Sequence, residues 1–216
     1  QCTRSCMEVL LIKALMFGGA FNPPTIAHIQ LAEYAKKMTK SDVVIFVPTK
    51  MTYIKNDQQK DFAFNDEVRY EMLQKIASTR EWMVVSDFEI KAETQPRTYM
   101  TLLHLKDEGY ACKLLFGSDK LKELKTGWMY MKEITEQFGI VCMKRRNDDF
   151  QSIMDNNPYI KSISPFIDMI DTPDDFQMIS SSIVRHLFDE GKYEEIDPLI
   201  PEELNGLRNY TKDDTL

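Results

Sequence analysis

A long apolar run followed at once by two glycines constrains the fold of this chain more than any other feature. Residues 10–17 are almost wholly apolar, as expected for a central strand of a parallel sheet that is covered on both faces. Gly18 and Gly19 then allow the backbone to turn sharply and to approach a ligand. Thr25 is a favourable N-cap for an amphipathic helix over residues 26–37. We therefore predict a buried strand, a glycine turn and a helix whose start lies close to a ligand.

The start of this helix also carries groups that suit phosphate. His28 follows Thr25 by three residues, so that a hydroxyl and an imidazole share the first turn. Pro23 and Pro24 stiffen the approach to the helix. Unpaired backbone N–H groups and the positive end of the helix dipole favour an anion here. The residues therefore predict a phosphate-binding turn.

Apolar strand-like runs alternate with helical patterns along the rest of the chain, which predicts an α/β fold with a parallel sheet and helices on both faces. After the first strand, the predicted strands span residues 43–47, 82–85, 112–116, 140–143 and 166–170. The predicted helices span residues 66–77, 98–107, 120–138 (with a break at Gly127) and 180–190, and short helices follow over residues 194–208. We expect one domain over residues 1–216, with a leader at 1–6 and a small C-terminal helical part from about 175 to 216.

The predicted sheet also indicates where a ligand would bind. Ligands of such sheets lie at the carboxyl ends of the strands, where the strand order reverses. The first and fourth strands both end in glycine, at Gly18, Gly19 and Gly117, so we place the site between them. Residues 51–64 are polar and lack clear periodicity, which predicts a mobile loop over the site.

Composition excludes several classes of function. The net charge of −7 argues against general binding to nucleic acid or to an anionic membrane, and 43% apolar residues suffice for a substantial core. The four cysteines show no metal-binding spacing, and Cys112 and Cys142 fall in apolar strand-like runs, which predicts buried thiols and fits a reducing compartment. No apolar run approaches the length of a membrane span, and no cleavage site indicates a signal peptide. Neither a dinucleotide fingerprint nor a P-loop occurs.

A second segment with phosphate-binding character lies near the C-terminus. Residues 179–185 read Ile-Ser-Ser-Ser-Ile-Val-Arg, and Ser180 is predicted to start a helix. Hydroxyl groups at a helix start, with Arg185 one turn further on, suit the phosphates of a nucleotide. Alternatively, the serines only cap the helix, and Arg185 is solvated without binding a phosphate.

Together these two segments resemble the signatures of a known family. The first signature, Gly18-Gly19-x-Phe21-Asn22-Pro23-x-Thr25-x-x-His28, resembles that of the HIGH-type nucleotidyltransferases, most closely the nicotinate or nicotinamide mononucleotide adenylyltransferases. Ala27 stands where the family has glycine. The second signature, residues 179–185, resembles the family's Ile-Ser-Ser-Thr-x-Ile-Arg, with Ser182 in the place of threonine. The resemblance extends from about residue 8 to 208.

Weaker matches lie between the two signatures, in the order of the family. Thr98 and Thr101 match its Ser-Tyr-Thr-x-x-Thr-Leu segment, although Arg97 replaces a common tyrosine. Gly117 and Asp119 match the family's Gly-x-Asp pattern after the fourth strand. Trp128 lies where the family has an aromatic residue against the pyridine ring, and Arg145 lies near its arginine after the fifth strand. The helix that carries Arg69 is assigned to packing.

The resemblance implies a Rossmann-like sheet and the transfer of adenylate from ATP to a pyridine mononucleotide, with release of pyrophosphate, in cytoplasmic NAD biosynthesis. Mg²⁺ would arrive with ATP, because the sequence offers no carboxylate cage of its own. A homo-oligomer is compatible with the sequence, and no nucleic-acid or membrane partner is expected. The implied catalytic residues are His28, Thr25 and Arg185. The implied ATP and phosphate ligands are Gly18, Gly19, Phe21, Asn22, Gly117, Asp119, Ser180 and Ser181. The implied mononucleotide ligands are Lys55, Thr98, Trp128 and Arg145.

Several interpretations stay open at this point. Another member of the superfamily, such as a pantetheine-phosphate adenylyltransferase or a cytidylyltransferase, would share the first signature, and a non-catalytic nucleotide-binding protein could keep the fold. Arg97 either favours the carboxylate of nicotinate or is solvated. Lys50 and Lys55 are each expected to be solvated loop lysines, although one of them could reach the phosphates. His104 and His186 are assigned to packing or to the surface.

Overall fold

A computed structural model describes residues 10–56, 64–124, 129–145, 148–177 and 179–210 of the chain. Six parallel strands form a single sheet in the order β3-β2-β1-β4-β5-β6. The strands are β1 (Ile12–Gly19), β2 (Val43–Pro48), β3 (Met83–Val85), β4 (Tyr110–Gly117), β5 (Ile140–Lys144) and β6 (Ile167–Asp171). The strand order reverses between β1 and β4, so the fold is the predicted Rossmann-like α/β arrangement.

Helices cover both faces of this sheet, as predicted. The α-helices are α1 (Ile26–Thr39), α2 (Met51–Asn56), α3 (Asp66–Ala77), α4 (Phe88–Lys91), α5 (Thr98–Asp107), α6 (Ser118–Glu123), α7 (Met131–Gln137), α8 (Phe150–Asn156), α9 (Pro158–Ile163), α10 (Ser181–Asp189) and α11 (Tyr193–Ile196). Short 3-10 helices occupy Ser164–Phe166, Asp174–Gln177, Asp197–Leu199, Glu202–Leu204 and Leu207–Asn209. Within the described residues, no helix is both long enough and apolar enough to span a membrane.

Alternation along β1 builds two separate cores. Leu15 and Phe17 point into the core that contains α1, α3, α10 and the C-terminal segments. Ala14 and Met16 point to the opposite face, which packs against α5, α7 and α9. β1 is therefore buried between two helical layers, which explains its nearly continuous apolar sequence.

Local capping residues explain why two of the predicted helices begin where they do. Asn65 caps α3, because its Oδ1 accepts a hydrogen bond from Val68 N at 2.8 Å. Ser180 caps α10 in the same way through Ile183 N. Both starts, and the start of α1 after Thr25, agree with the sequence prediction.

The structure corrects several predicted boundaries. The first strand starts at Ile12 rather than at residue 10, since Leu10 is 93% exposed and precedes the pairing with β4. The strand also continues through Gly18 and Gly19, where the sequence predicted a sharp turn. Residues 51–56 of the predicted loop form α2, whose Met51 N–H donates to Asp66 Oδ1 at 2.6 Å and whose Ile54 is buried. The helices α4, α8 and α9 are too short to show a helical period in the sequence.

The predicted helix over residues 120–138 is divided into α6 and α7. Residues 125–128, with the predicted break at Gly127, lie outside the described part of the chain, as do residues 1–9 with the predicted leader.

Candidate active site

A cavity of about 540 Å³ opens at the carboxyl ends of β1 and β4, where the strand order reverses. This is the position predicted from the glycines that end the two strands. Twelve of the residues singled out in the sequence line the cavity together: Gly18, Gly19, Phe21, Asn22, Thr25, His28, Gly117, Asp119, Arg145, Ser180, Ser181 and Arg185. Segments more than 150 positions apart in the sequence thus form one wall.

Thr25 and His28 form a compact unit at the start of α1. The backbone N–H of Thr25 donates to Nδ1 of His28 at 3.0 Å, and Thr25 Oγ1 lies 2.9 Å from the same nitrogen. A backbone N–H can only donate, so Nδ1 must present its lone pair and the proton of the neutral ring lies on Nε2. Thr25 is fully buried, and its hydroxyl orients the imidazole. The helix start therefore fixes both the direction and the tautomer of His28.

The turn between β1 and α1 differs from the one expected. Its left-handed residue is Phe21, with a φ of 43°, whereas neither Gly18 nor Gly19 has a positive φ, and the Asn22–Pro23 peptide bond is cis. A Cβ on Gly19 would lie 3.3 Å from the ring of Phe21, so the glycine gives that ring its space. The phenyl ring in turn meets the His28 ring edge-on at a centroid distance of 5.2 Å.

Asn22 shapes the turn through its buried side chain. We predicted that this amide could point towards a phosphate cluster. Its Oδ1 accepts a hydrogen bond from Phe64 N at 2.9 Å, and the residue is fully buried at the cavity wall. The contact with Phe64 joins residues 42 positions apart, which local sequence chemistry does not reveal.

Direct hydrogen bonds join the two signatures. The Arg185 guanidinium donates from Nη1 to the carbonyl oxygen of Asn22 at 2.8 Å and from Nη2 to Ser182 Oγ at 3.0 Å. Ser181 Oγ donates to the carbonyl oxygen of Pro23 at 2.8 Å. Partial burial lowers the pKa of Arg185 from its ordinary value, and Asp189 opposes that shift, so the side chain remains a cation at neutral pH. Arg185 and His28 thus belong to the same cavity wall.

A half-exposed ion pair forms the wall on the β4–β5 side. Arg145 Nε lies 3.2 Å from Asp119 Oδ1, and Nη2 lies 3.4 Å from Oδ2. Asp119 lies in the first turn of α6, immediately after Gly117. A Cβ on Gly117 would come within 2.6 Å of Asp119 Oδ1, so glycine is needed for this placement of the carboxylate.

The structure adds residues to the site that the sequence interpretation missed. Lys120 and Lys144 bring two further cations to the cavity. Lys144 ends β5 beside Arg145, and Lys120 follows Asp119, so the switch-point argument could have found both. The other added lining residues are mostly apolar: Phe17, Ala20, Ala27, Leu31, Phe116, Met143, Thr172, Phe176 and Ile179.

Some predicted residues do not line this cavity. Thr98 is the first residue of α5 and is not among the lining residues of the cavity, and Arg97 just before it is exposed. The side chain of Lys55 and the whole of Trp128 lie outside the described residues. Lys50 is not solvated: its side chain is 13% exposed, and Nζ donates to the carbonyl oxygen of Ile90 at 2.8 Å.

The two remaining histidines have the roles expected of them. His104 stacks on Phe88 at a centroid distance of 4.1 Å. His186 lies at the surface and faces Glu190.

The donor set of the cavity fits a metal ion that is held mainly by substrate oxygens. In the described residues, no group of three or more His, Cys, Asp or Glu side chains could hold a metal ion. Mg²⁺ commonly binds through one or two carboxylates together with substrate phosphates and waters. The carboxylate of Asp119 is present in the wall for such a role.

Comparison with known proteins agrees with this geometry. A cytidylyltransferase-like family model matches residues 16–187. A probable nicotinate-nucleotide adenylyltransferase of Caldicellulosiruptor saccharolyticus is 31% identical over 181 residues, which are 84% of this chain and 89% of that protein. The nicotinamide/nicotinic acid mononucleotide adenylyltransferase of Arabidopsis thaliana is 25% identical, over 82% of this chain and 80% of its own length.

A solved structure shares the fold. The Plasmodium falciparum nicotinic acid mononucleotide adenylyltransferase, complexed with NaAD, superposes with a TM-score of 0.70 at 19% identity and covers 92% of this chain and 96% of its own. The chain belongs to the cytidylyltransferase-like family, among the nicotinate-nucleotide adenylyltransferases.

Proposed function

We propose that this protein transfers the adenylyl group of ATP to nicotinate mononucleotide, or to its amide, and so makes a pyridine dinucleotide and pyrophosphate. The observation that carries the proposal is the shared cavity wall in which Arg185 binds the carbonyl oxygen of Asn22, three residues before Thr25. Relatives named for this activity cover most of the chain, which supports the same conclusion. Both described cysteines are free thiols, which fits a reducing compartment such as the cytoplasm.

The proposed reaction needs no nucleophile from the protein. A phosphate oxygen of the mononucleotide forms a bond to the α-phosphorus of ATP. The bond from that phosphorus to the bridging oxygen of the β-phosphate breaks, and pyrophosphate leaves with the electron pair. Catalysis then consists of positioning the two substrates and stabilising the charge that develops on the phosphates.

Groups at the starts of α1 and α10 would carry most of that work. His28, held as the Nε2–H tautomer by Thr25, would donate a hydrogen bond to a phosphate oxygen of ATP. Arg185 would stabilise the departing pyrophosphate, and the start of α10 would add the hydroxyl of Ser180 and backbone N–H groups as donors.

The walls of the cavity suggest where the rest of the substrates would bind. Gly18, Gly19 and Phe21 would lie against the phosphates of ATP, and Gly117 with Asp119 would line the nucleotide pocket. Arg145 in this wall would serve the mononucleotide. The family resemblance alone proposes Lys55, Thr98 and Trp128 as further ligands of the mononucleotide. When bound, Mg²⁺ would neutralise phosphate charge, with the phosphates and the carboxylate of Asp119 as its available oxygen ligands.

A substrate panel tests the proposal directly. Purified protein is given ATP with nicotinate mononucleotide, nicotinamide mononucleotide or phosphopantetheine, and CTP with choline phosphate, and pyrophosphate release is measured. We expect release with a pyridine mononucleotide and ATP at least about tenfold above the other pairs, as discrimination by a few polar contacts allows. Release only with another pair would assign a different nucleotidyltransferase activity. ATP binding without release on any acceptor would indicate a nucleotide-binding protein.

Gly117→Ala tests the position assigned to Asp119. The φ of −85° at Gly117 suits alanine, so we expect the melting temperature to change by less than about 2 °C. The added Cβ would displace the Asp119 carboxylate, and we expect kcat/KM to fall by about tenfold, as for one lost hydrogen bond to a charged group. Unchanged kcat/KM in Gly117→Ala would contradict a role for Asp119.

A further inference from the structure

The contact between Arg145 and Asp119 is well suited to exchange. The two side chains are 57% and 50% exposed, and their closest approach is 3.2 Å. Ion pairs of such exposure contribute little to stability, commonly under about 1 kcal/mol. An oxyanion of a bound substrate can therefore compete with the carboxylate for this guanidinium, at little cost to the fold.

The backbone of Arg145 is held far more firmly than its side chain. Ser118, which is fully buried, accepts a hydrogen bond from Arg145 N at 2.9 Å and donates from the same Oγ to Asp148 Oδ2 at 2.5 Å. Lys122 donates to the other oxygen of Asp148. Asp148 N donates in turn to the carbonyl oxygen of Arg145 at 2.9 Å. We call Ser118, Asp148 and Lys122 the latch.

Charge and burial explain the stability of the latch. Burial alone would raise the pKa of Asp148, but the hydrogen bonds from Lys122 and Ser118 outweigh it and hold that pKa below its ordinary value. Asp148 therefore stays ionised at neutral pH and remains an acceptor for both donors. Ser118 can fill its place because a hydroxyl donates and accepts at once.

The latch connects the two elements that form this wall. Ser118 begins α6, next to Asp119, and its partner Arg145 follows the end of β5. Fixing the backbone of residue 145 to the start of α6 sets where the guanidinium can reach. If the backbone of Arg145 were not held, its long side chain would lose more conformational freedom when it binds a ligand. The affinity for that ligand would then be lower.

We propose that Ser118 and Asp148 are positioning residues, which hold Arg145 so that its guanidinium moves from Asp119 to a phosphate oxyanion of a bound substrate. The inference rests on the proposed function for the identity of that substrate. Two sources supply the same chemistry, the phosphates of ATP and the phosphate of the mononucleotide, and separate measurements on each distinguish them.

Steady-state kinetics of Ser118→Ala and Asp148→Asn test the proposal. We expect KM for one of the two substrates to rise by about three- to tenfold, with kcat changed less than about twofold, because the interaction contributes to binding and not to the chemical step. The substrate whose KM rises is the one that Arg145 contacts. Unchanged KM for both substrates in both variants would overturn the proposal.

Two control variants alter a hydroxyl and a carboxylate outside the latch. Thr135→Val loses a buried hydroxyl that donates to Met131 O within α7. Asp155→Asn alters a carboxylate that accepts from Gln151 within α8. We expect both controls to keep the wild-type KM values. An equal rise in KM in the controls would assign the effect to general loss of structure and overturn the proposal.

A double-mutant cycle separates positioning from a merely structural role. If Ser118 acts through Arg145, then Ser118→Ala should add no further rise in KM in an Arg145→Ala background. A full additional rise in the double variant would show that Ser118 does not act through Arg145. Asp148→Asn in the same background gives an independent second cycle, should Ser118→Ala fold poorly.

Equilibrium binding keeps this test distinct from that of the proposed function. Titration calorimetry measures the dissociation constants of ATP and of nicotinate mononucleotide separately, without turnover. If the wild-type protein releases no pyrophosphate on any acceptor, the proposed function fails, while a three- to tenfold weaker binding of either compound by Ser118→Ala would still support the latch. Equal dissociation constants for wild type and Ser118→Ala would overturn it.

Discussion

His28→Ala should lower the turnover number by about 100-fold or more while the protein remains folded. The substitution removes the Nε2–H donor that we assign to a phosphate oxygen of ATP, and one preorganised donor at a developing charge commonly contributes that much. Steady-state pyrophosphate release measures the effect, and a circular dichroism spectrum with a thermal melt reports the fold. Turnover within about threefold of wild type would remove His28 from the mechanism.

His28→Asn separates the two tasks of the imidazole. The amide oxygen of asparagine can accept from Thr25 N where Nδ1 does now, at 3.0 Å, so the helix start keeps its hydrogen bond. The shorter side chain supplies no donor at the place of Nε2. We expect turnover as low as in His28→Ala, with a melting temperature closer to wild type. His186→Ala is the matched control, because that imidazole is 72% exposed and lies beside Glu190 at the surface.

The position of the cavity follows from local chemistry and the topology of parallel sheets. The capping residues Thr25 and Ser180 set where α1 and α10 begin, and caps act over only three residues. The two strands that end in glycine identified the switch point. These features depend on near neighbours or on general rules for α/β sheets, so one sequence sufficed to predict them.

Contacts between distant segments account for what the sequence did not predict. The amide oxygen of Asn22 accepts a hydrogen bond from the backbone N–H of Phe64, 42 positions on. Lys50 is mostly shielded from solvent because the helix α4, 40 positions later, offers the carbonyl oxygen of Ile90 to its ammonium group. Neither partner is marked by a local pattern. The positive φ of Phe21 was not predicted for a related reason. The ring of Phe21 packs against those of Phe17 and Phe46, and this tertiary contact leaves no local sequence pattern.

A buried arginine ties the loops behind the cavity together, and its loss should be the most destabilising single substitution that we describe. Arg69, fully buried on α3, donates to the carbonyl oxygens of Phe64 at 3.0 Å, Ala20 at 2.7 Å and Thr49 at 2.6 Å. It also forms an ion pair with Asp66 at 2.5 Å. Burial lowers the pKa of Arg69 to about 10, against the opposing effect of Asp66, so the guanidinium is still charged at neutral pH.

Arg69→Met should lower the free energy of unfolding by about 3–5 kcal/mol, because three carbonyl oxygens and a carboxylate lose their buried donor. In a chain of this size that corresponds to a fall in melting temperature of roughly 10 °C. Arg69→Lys keeps the charge but has fewer donors and no planar guanidinium. Its free energy of unfolding should lie between those of the wild type and of Arg69→Met. Urea denaturation and thermal melts measure both variants.

Lys75→Met on the same helix is the control for Arg69→Met. Its ammonium pairs with Glu71 at 2.8 Å and donates to the hydroxyl of Tyr210 at 3.1 Å, but the pair with Glu71 is about half exposed, so we expect a change in the free energy of unfolding below about 1 kcal/mol. Equal losses in the two variants would show that the hydrogen bonds of Arg69 do not anchor these loops. Since Ala20 lies in the turn between β1 and α1, any folded Arg69→Met should also bind ATP more weakly, which titration calorimetry below the melting temperature would detect.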